Sequence, residues 1–230
     1  MCDAVTKWSL HAVLFLTPIF FLPVTLYPVD LNKQFVFASL VFIGAIAWLI
    51  KSAARGMVEY PRGFTGIPLI ALVAFTIISA FFSPARHIGF MGVTGGAVDT
   101  VIAIISFALL YFLIAVSFKE KEDFRNGFVA LMASGSVAMF LFSLQVLGLS
   151  FLPWDFAQDN GFNAVGTVNA FALYAGFMAV LSLALLCRGT VTKRMRAWGG
   201  ILAGVSFLLV FLVGYWAAFI CFIVASGIFV

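Results

Sequence analysis

Residues 150–186 read SFLPWDFAQDNGFNAVGTVNAFALYAGFMAVLSLALL. The stretch opens polar and acidic and passes into an apolar run that ends at Leu186. It holds no Lys or Arg before that run, in a chain whose other polar loops are mostly basic. An apolar run of roughly 20 residues is long enough to cross a hydrocarbon core of about 30 Å. The stretch therefore reads as a loop feeding a membrane-spanning helix from about Gly166 to Leu186.

The same reading extends outward in both directions. Further apolar runs cover about Ser9–Leu26, Lys33–Ile50, Gly66–Phe82, Thr100–Phe118, Asn126–Leu149 and Gly199–Val213, and another begins after Gly214. The chain is 64% hydrophobic and 10% charged, whereas soluble domains carry about 25% charged residues. Lipid must be its solvent. Backbone in lipid has to satisfy its own hydrogen bonds, by helix or closed barrel. Barrel strands alternate polar and apolar residues, and these runs do not. The expected fold is all-α: one polytopic transmembrane bundle over residues 1–230, with seven to eight spans.

Local signals refine the spans. Lys7 precedes an apolar run that lacks a small-residue cleavage site, so the run reads as a retained first span rather than a removed signal. Residues Gly199–Val230 are uncharged. As one helix they would extend about 48 Å at 1.5 Å per residue, too long for a single crossing, and Gly214 is the expected break. The run reaches Val230 without a charged stop, so the expectation is the N-terminal part of a longer protein.

Charge sets the orientation. With the N-terminus in the cytoplasm, eleven of the thirteen Lys and Arg residues fall on the cytoplasmic side, and only Lys33 and Arg86 fall outside. Cytoplasmic loops carry the excess of basic residues in membrane proteins, so N-in is the expected arrangement. The net charge of +4 then belongs to short loops beside spans and does not imply nucleic acid. Segments Ser83–Asp99 and Ser150–Val165 come to the same outer face.

No acid or base stands in the middle of a span, which argues against an ion-coupled transporter. No P-loop, HExxH or GxSxG motif is present. Cys2, Cys187 and Cys221 form no CxxC pair and read as packing thiols, with no metal signature. No cofactor is expected.

The candidate site residues lie in the two outer loops. Arg86 offers a planar fork suited to phosphate, or it is an interfacial arginine reaching for headgroups. His87 reads as a solvated loop residue. Asp155 and Asp159 are placed to act as bases toward a hydroxyl or to bind a cation, or they simply make the outer loop acidic. Asn163, Thr167 and Asn169, with Trp154 and Asn160 nearby, could hydrogen-bond sugar hydroxyls. Their other reading is helix capping by Asn163 or Thr167 and interhelical bonding by Asn169. His11 and Gln145 read as interhelical bonds.

Two stretches resemble the O-antigen ligase and O-antigen polymerase superfamily. Residues 75–116, FTIISAFFSPARHIGFMGVTGGAVDTVIAIISFALLYFLIAV, are similar to its early spans, with a Phe-Ser-Pro outer turn, a Gly-rich loop and a very apolar next span. Residues 161–186 are similar to its Gly–Asn–Pro–Asn–x–x–Ala–x–Tyr segment. Gly166, Asn169, Ala172 and Tyr174 match, while Thr167 and Val168 replace the first Asn and the Pro. The resemblance implies a metal-independent, inverting glycosyltransferase at the outer face of a bacterial inner membrane. Such enzymes move a glycan from a polyprenyl-pyrophosphate carrier to an acceptor. It also implies that catalytic groups lie on outer arginines and on a His-bearing outer loop that follows the spans seen here. The family's Arg after the seventh span has no counterpart at Gly214-Tyr215-Trp216. The expected partners are membrane lipid, the carrier-linked glycan and other membrane proteins. Two further readings are a non-catalytic membrane subunit or scaffold, and a lipid-linked-glycan flippase or other transporter.

Overall fold

The computed structural model describes residues 2–22, 29–58, 66–92, 100–149, 153–154, 161–187 and 192–227. Among them every regular element is a helix: α1 (Cys2–Ile19), α2 (Asp30–Arg55), α3 (Gly66–Phe82), α4 (Arg86–Met91), α5 (Val101–Ser117), α6 (Lys121–Val146), α7 (Val168–Cys187), α8 (Lys193–Val213) and α9 (Trp216–Gly227). Four of these, α2, α6, α7 and α8, are long and apolar enough to cross a membrane. At 1.5 Å per residue, the 20 residues of α7 extend about 30 Å. Helices α3, α5 and α9 are shorter and equally apolar. The protein is a multi-pass integral membrane protein.

The helix ends follow from local chemistry. The Thr100 hydroxyl accepts from the Ala103 N–H at 3.1 Å, Thr167 from Ala170 at 3.2 Å and Thr192 from Met195 at 3.4 Å. Each satisfies one of the N–H groups that a first turn leaves unbonded. Asp123, in the first turn of α6, accepts from the Glu120 N–H at 3.3 Å, the backward half of a capping box. Helix α8 stops at Gly214, whose φ of 69° and N–H bond to the Val210 carbonyl close the last turn. The break in the long uncharged run thus lies at the residue the sequence singled out.

The helices form two compact units, residues 1–131 and 132–230, and the division falls within α6. In the first, α1 packs on α2 and both meet α5. Thr6, Ser9, Leu10 and Val13 are the buried positions of α1, a helical stripe of the kind that faces a neighbour. Leu10 and Val13 join Phe37, Val41, Ala45, Leu113 and Phe118 in one core cluster. Lipid is as apolar as leucine, so close packing and polar contacts hold such helices together. The Thr6 hydroxyl lies 3.3 Å from the Gly44 carbonyl on α2 and 3.2 Å from the Cys2 carbonyl on its own helix.

The second unit is built on α7, which packs against α8 and α9. Its buried positions include Ala172, Ala175, Gly176, Ala179 and Ser182, small residues that allow backbones to approach. The contact with α6 is tighter still. A Cβ added at Gly135 would stand 2.3 Å from Met178 Cε, so only glycine fits there without a shift. The Phe142 and Phe171 rings meet at a tilt with centroids 4.1 Å apart, and the Trp198 indole N–H donates to Ser136 Oγ at 2.9 Å.

Candidate functional site

The entrance to α7 is built from four residues in sequence. Asn163 is buried, and its amide is spent on its own loop. Oδ1 accepts from the Val165 N–H at 3.0 Å and from the Gly166 N–H at 2.9 Å, while Nδ2 donates to the Gly161 carbonyl at 3.2 Å. Gly166 follows at φ 141°, a backbone region that residues with a Cβ seldom enter. Thr167 then caps α7. The Asn163 carboxamide and the Gly166 backbone together aim the chain into the helix.

Asn169 stands two residues into α7. It is exposed, and its carboxamide has no partner among the described residues. Of the three neutral hydrogen-bonding residues at this entrance, the fold uses Asn163 and Thr167 and leaves Asn169 to the surroundings. Asn163 also lines a crevice with Leu141, Leu144, Gln145, Leu149, Phe162 and Ala164. Its volume is about 10 Å³, room for about one water and not for a sugar. Glycan contacts at this entrance would therefore fall on its surface.

Further down α7 the Tyr174 hydroxyl is buried close to that of Ser134, without a well-formed hydrogen bond between them. Asp155, Asp159 and Asn160 lie outside the described residues. Trp154 is half-buried. Arg86 belongs to the first unit, where it opens the short helix α4 beside His87, and both side chains are exposed. Arg86 has no ion-pair or hydrogen-bond partner among the described residues.

Sequence reasoning overlooked an ionic cluster at one end of the first unit. Lys7 on α1 pairs with Asp123 on α6 at 2.8 Å. Asp3 on α1 pairs with Lys51 and, at 3.5 Å, with Arg55 on α2. Asp3, Lys7 and His11 are spaced four apart, one helical face, and that periodicity was the available signal. His11 uses Nδ1 on the Lys7 carbonyl at 2.6 Å and stacks on Phe118. The Lys51 hydrogen bond holds the Asp3 carboxyl below its ordinary value, with burial opposing it. The Asp123 hydrogen bond raises the Lys7 ammonium above its ordinary value, again with burial opposing.

A second overlooked feature is an apolar cavity of about 150 Å³ at the Gly214 corner, lined by Val210, Phe211, Tyr215, Trp216 and Phe219. No three His, Cys, Asp or Glu side chains converge as a metal site among the described residues. Comparison with family models, with curated proteins and with solved structures finds no match.

Proposed function

We propose that this chain is the membrane-embedded part of an envelope glycan transferase of the O-antigen ligase and polymerase type. It would take a glycan from a polyprenyl-pyrophosphate carrier and pass it to an acceptor at the outer face of a bacterial inner membrane. The observation that carries the reading is Asn169. It falls at the matched Asn of the Gly166–Tyr174 segment, it is exposed, and its carboxamide remains available in the first turn of α7.

In this reading the N-terminus is cytoplasmic and seven to eight segments cross the bilayer. The skew of basic residues toward one side supports that orientation. Asn169 contacts glycan hydroxyls, and Arg86 takes the pyrophosphate through parallel N–H bonds. Asp155 and Asp159 precede the entrance in the sequence and remain candidate contacts on that ground. Asn163 and Thr167 shape the site and do not touch the glycan.

A second reading, a non-catalytic membrane subunit, is favoured by helix α3. Of its residues only Ala80 is buried, while Ile67, Ile70, Phe75, Ile78 and Phe82 are exposed. That surface is free for a partner helix.

Replacing Arg86 by Ala in the whole protein tests the first reading. A lost charged hydrogen bond is worth about 1.5–3 kcal/mol, so transfer should fall by about tenfold or more. Transfer unchanged in Arg86→Ala removes Arg86 from the site. A protein that transfers no glycan but copurifies stoichiometrically with a membrane partner supports the second reading.

A further inference from the structure

Among the described residues, the ion pairs lie in the first compact unit. Lys7 pairs with Asp123, Lys51 and Arg55 share Asp3, and Arg125 pairs with Glu122. Residues 132–230 contain the cations Arg188, Lys193, Arg194 and Arg196, and only two acids, Asp155 and Asp159. Those acids precede α7 in the sequence and the cations follow it.

Lys193, Arg194 and Arg196 all lie in the first turn of α8. Each is exposed, and none has a side-chain partner among the described residues. Three like charges within four residues repel one another. The helix adds roughly half a positive charge at the same end, so the fold itself makes this cluster unfavourable. Among the described residues no carboxylate meets the cluster. Helix α8 is long and apolar enough to cross a membrane, which puts its first turn at the level of lipid headgroups. Trp198, half-buried and tied to Ser136, fixes the helix one turn further in.

We propose that Lys193, Arg194 and Arg196 form a binding surface for the phosphates of anionic phospholipids in the leaflet at that end of α8. The two guanidinium groups match phosphate through paired N–H bonds, and the lysine adds a point charge. The lipid phosphate supplies the negative charge that the cluster lacks among the described residues. This surface does not depend on the glycan reading.

The test uses the whole protein, purified in a mild non-ionic detergent, with fluorescent phosphatidylglycerol and phosphatidylcholine as probes. Phosphatidylglycerol should bind more tightly. One basic residue near an anionic surface is worth about fivefold in binding. The variant Lys193→Gln/Arg194→Gln/Arg196→Gln should therefore weaken phosphatidylglycerol on the order of a hundredfold and leave phosphatidylcholine unchanged. The charge-preserving Arg194→Lys/Arg196→Lys should retain most of the binding. Lys51→Gln, at a residue already paired, should retain all of it. Where the triple variant does not fold, each single Gln variant should still show its own loss of about fivefold. Phosphatidylglycerol bound equally by wild type and the Gln variants would overturn the proposal. So would equal binding of the two lipids, or displacement of the lipid by millimolar inorganic phosphate, which would make the ligand a free anion.

Discussion

Lys7 and Asp123 stand 116 positions apart in sequence, yet the lysine ammonium lies 2.8 Å from the Asp123 carboxylate. The pair joins the start of α1 to the start of α6. The Asp123 side chain is 10% exposed and that of Lys7 34%, so water screens the pair from one side only. Removing one partner leaves the other charge half-desolvated, which costs more than losing both. Lys7→Met or Asp123→Asn should each lower thermal stability in detergent by about 1–3 kcal/mol. The double variant Lys7→Met/Asp123→Asn should recover much of that loss. Single and double variants that melt with additive losses would show that the two side chains do not interact.

The neighbouring charges make stability depend on pH at both extremes. The Asp3 carboxyl titrates below its ordinary value in the folded protein because of Lys51. Its contribution is complete above about pH 4 and disappears as pH falls through the lowered value. The Lys7 ammonium titrates above its ordinary value because of Asp123. Its contribution is complete below about pH 10 and disappears as pH rises through the raised value. Melting temperature against pH should show both limbs. Asp3→Asn should flatten part of the acid limb, while Lys7→Met should remove the alkaline limb and, by releasing Asp123, another part of the acid limb. An acid limb that survives intact in Asp3→Asn would contradict the assignment.

Gly135 and Met178 set the spacing of α6 and α7. Met178 is fully buried, and an added methyl at Gly135 would overlap its terminal carbon. Gly135→Ala should destabilise by about 1–3 kcal/mol through overpacking. Shortening the neighbour in Gly135→Ala/Met178→Ala should be less damaging than the sum of the two single changes. Strict additivity would mean that the helices do not meet at this pair.

On the proposed transferase reading, Asn163 folds the loop and Asn169 binds the glycan. Asn163→Ala removes two acceptors for backbone N–H groups and should cost about 1–3 kcal/mol of stability. Transfer per folded molecule should stay unchanged. Asn169→Ala should leave stability unchanged and lower transfer by about tenfold, the loss expected when a hydrogen bond to substrate disappears. The opposite pairing of effects would exchange the two roles.

The helices were legible because they rest on a one-dimensional signal. An apolar run such as Gly66–Phe82 announces a helix by length alone, and α3 has the bounds the sequence implied. Gly214 was legible because a 32-residue uncharged run needs a break and only a few residue types supply one. The ionic cluster was not, because pairing Lys7 with Asp123 requires knowing that α1 and α6 begin at the same end. Asn163 was legible as polar and close to a helix start. Whether its carboxamide turns to the loop or to a ligand depends on the backbone of Val165 and Gly166, which sequence does not state. Asp155 and Asp159 rest on sequence alone.

The proposed glycan site rests on which end of α7 faces the cell exterior. The most direct measurement is thiol labelling in intact cells with a membrane-impermeant maleimide. Cys2, Cys187 and Cys221 are first replaced by Ser, and single cysteines are introduced by Asn169→Cys or Lys193→Cys. The Asn169→Cys variant should be labelled from outside, and the Lys193→Cys variant only after the cells are permeabilised. Labelling of the Lys193→Cys variant from outside, with the Asn169→Cys variant protected, would contradict the orientation and with it the proposed transferase.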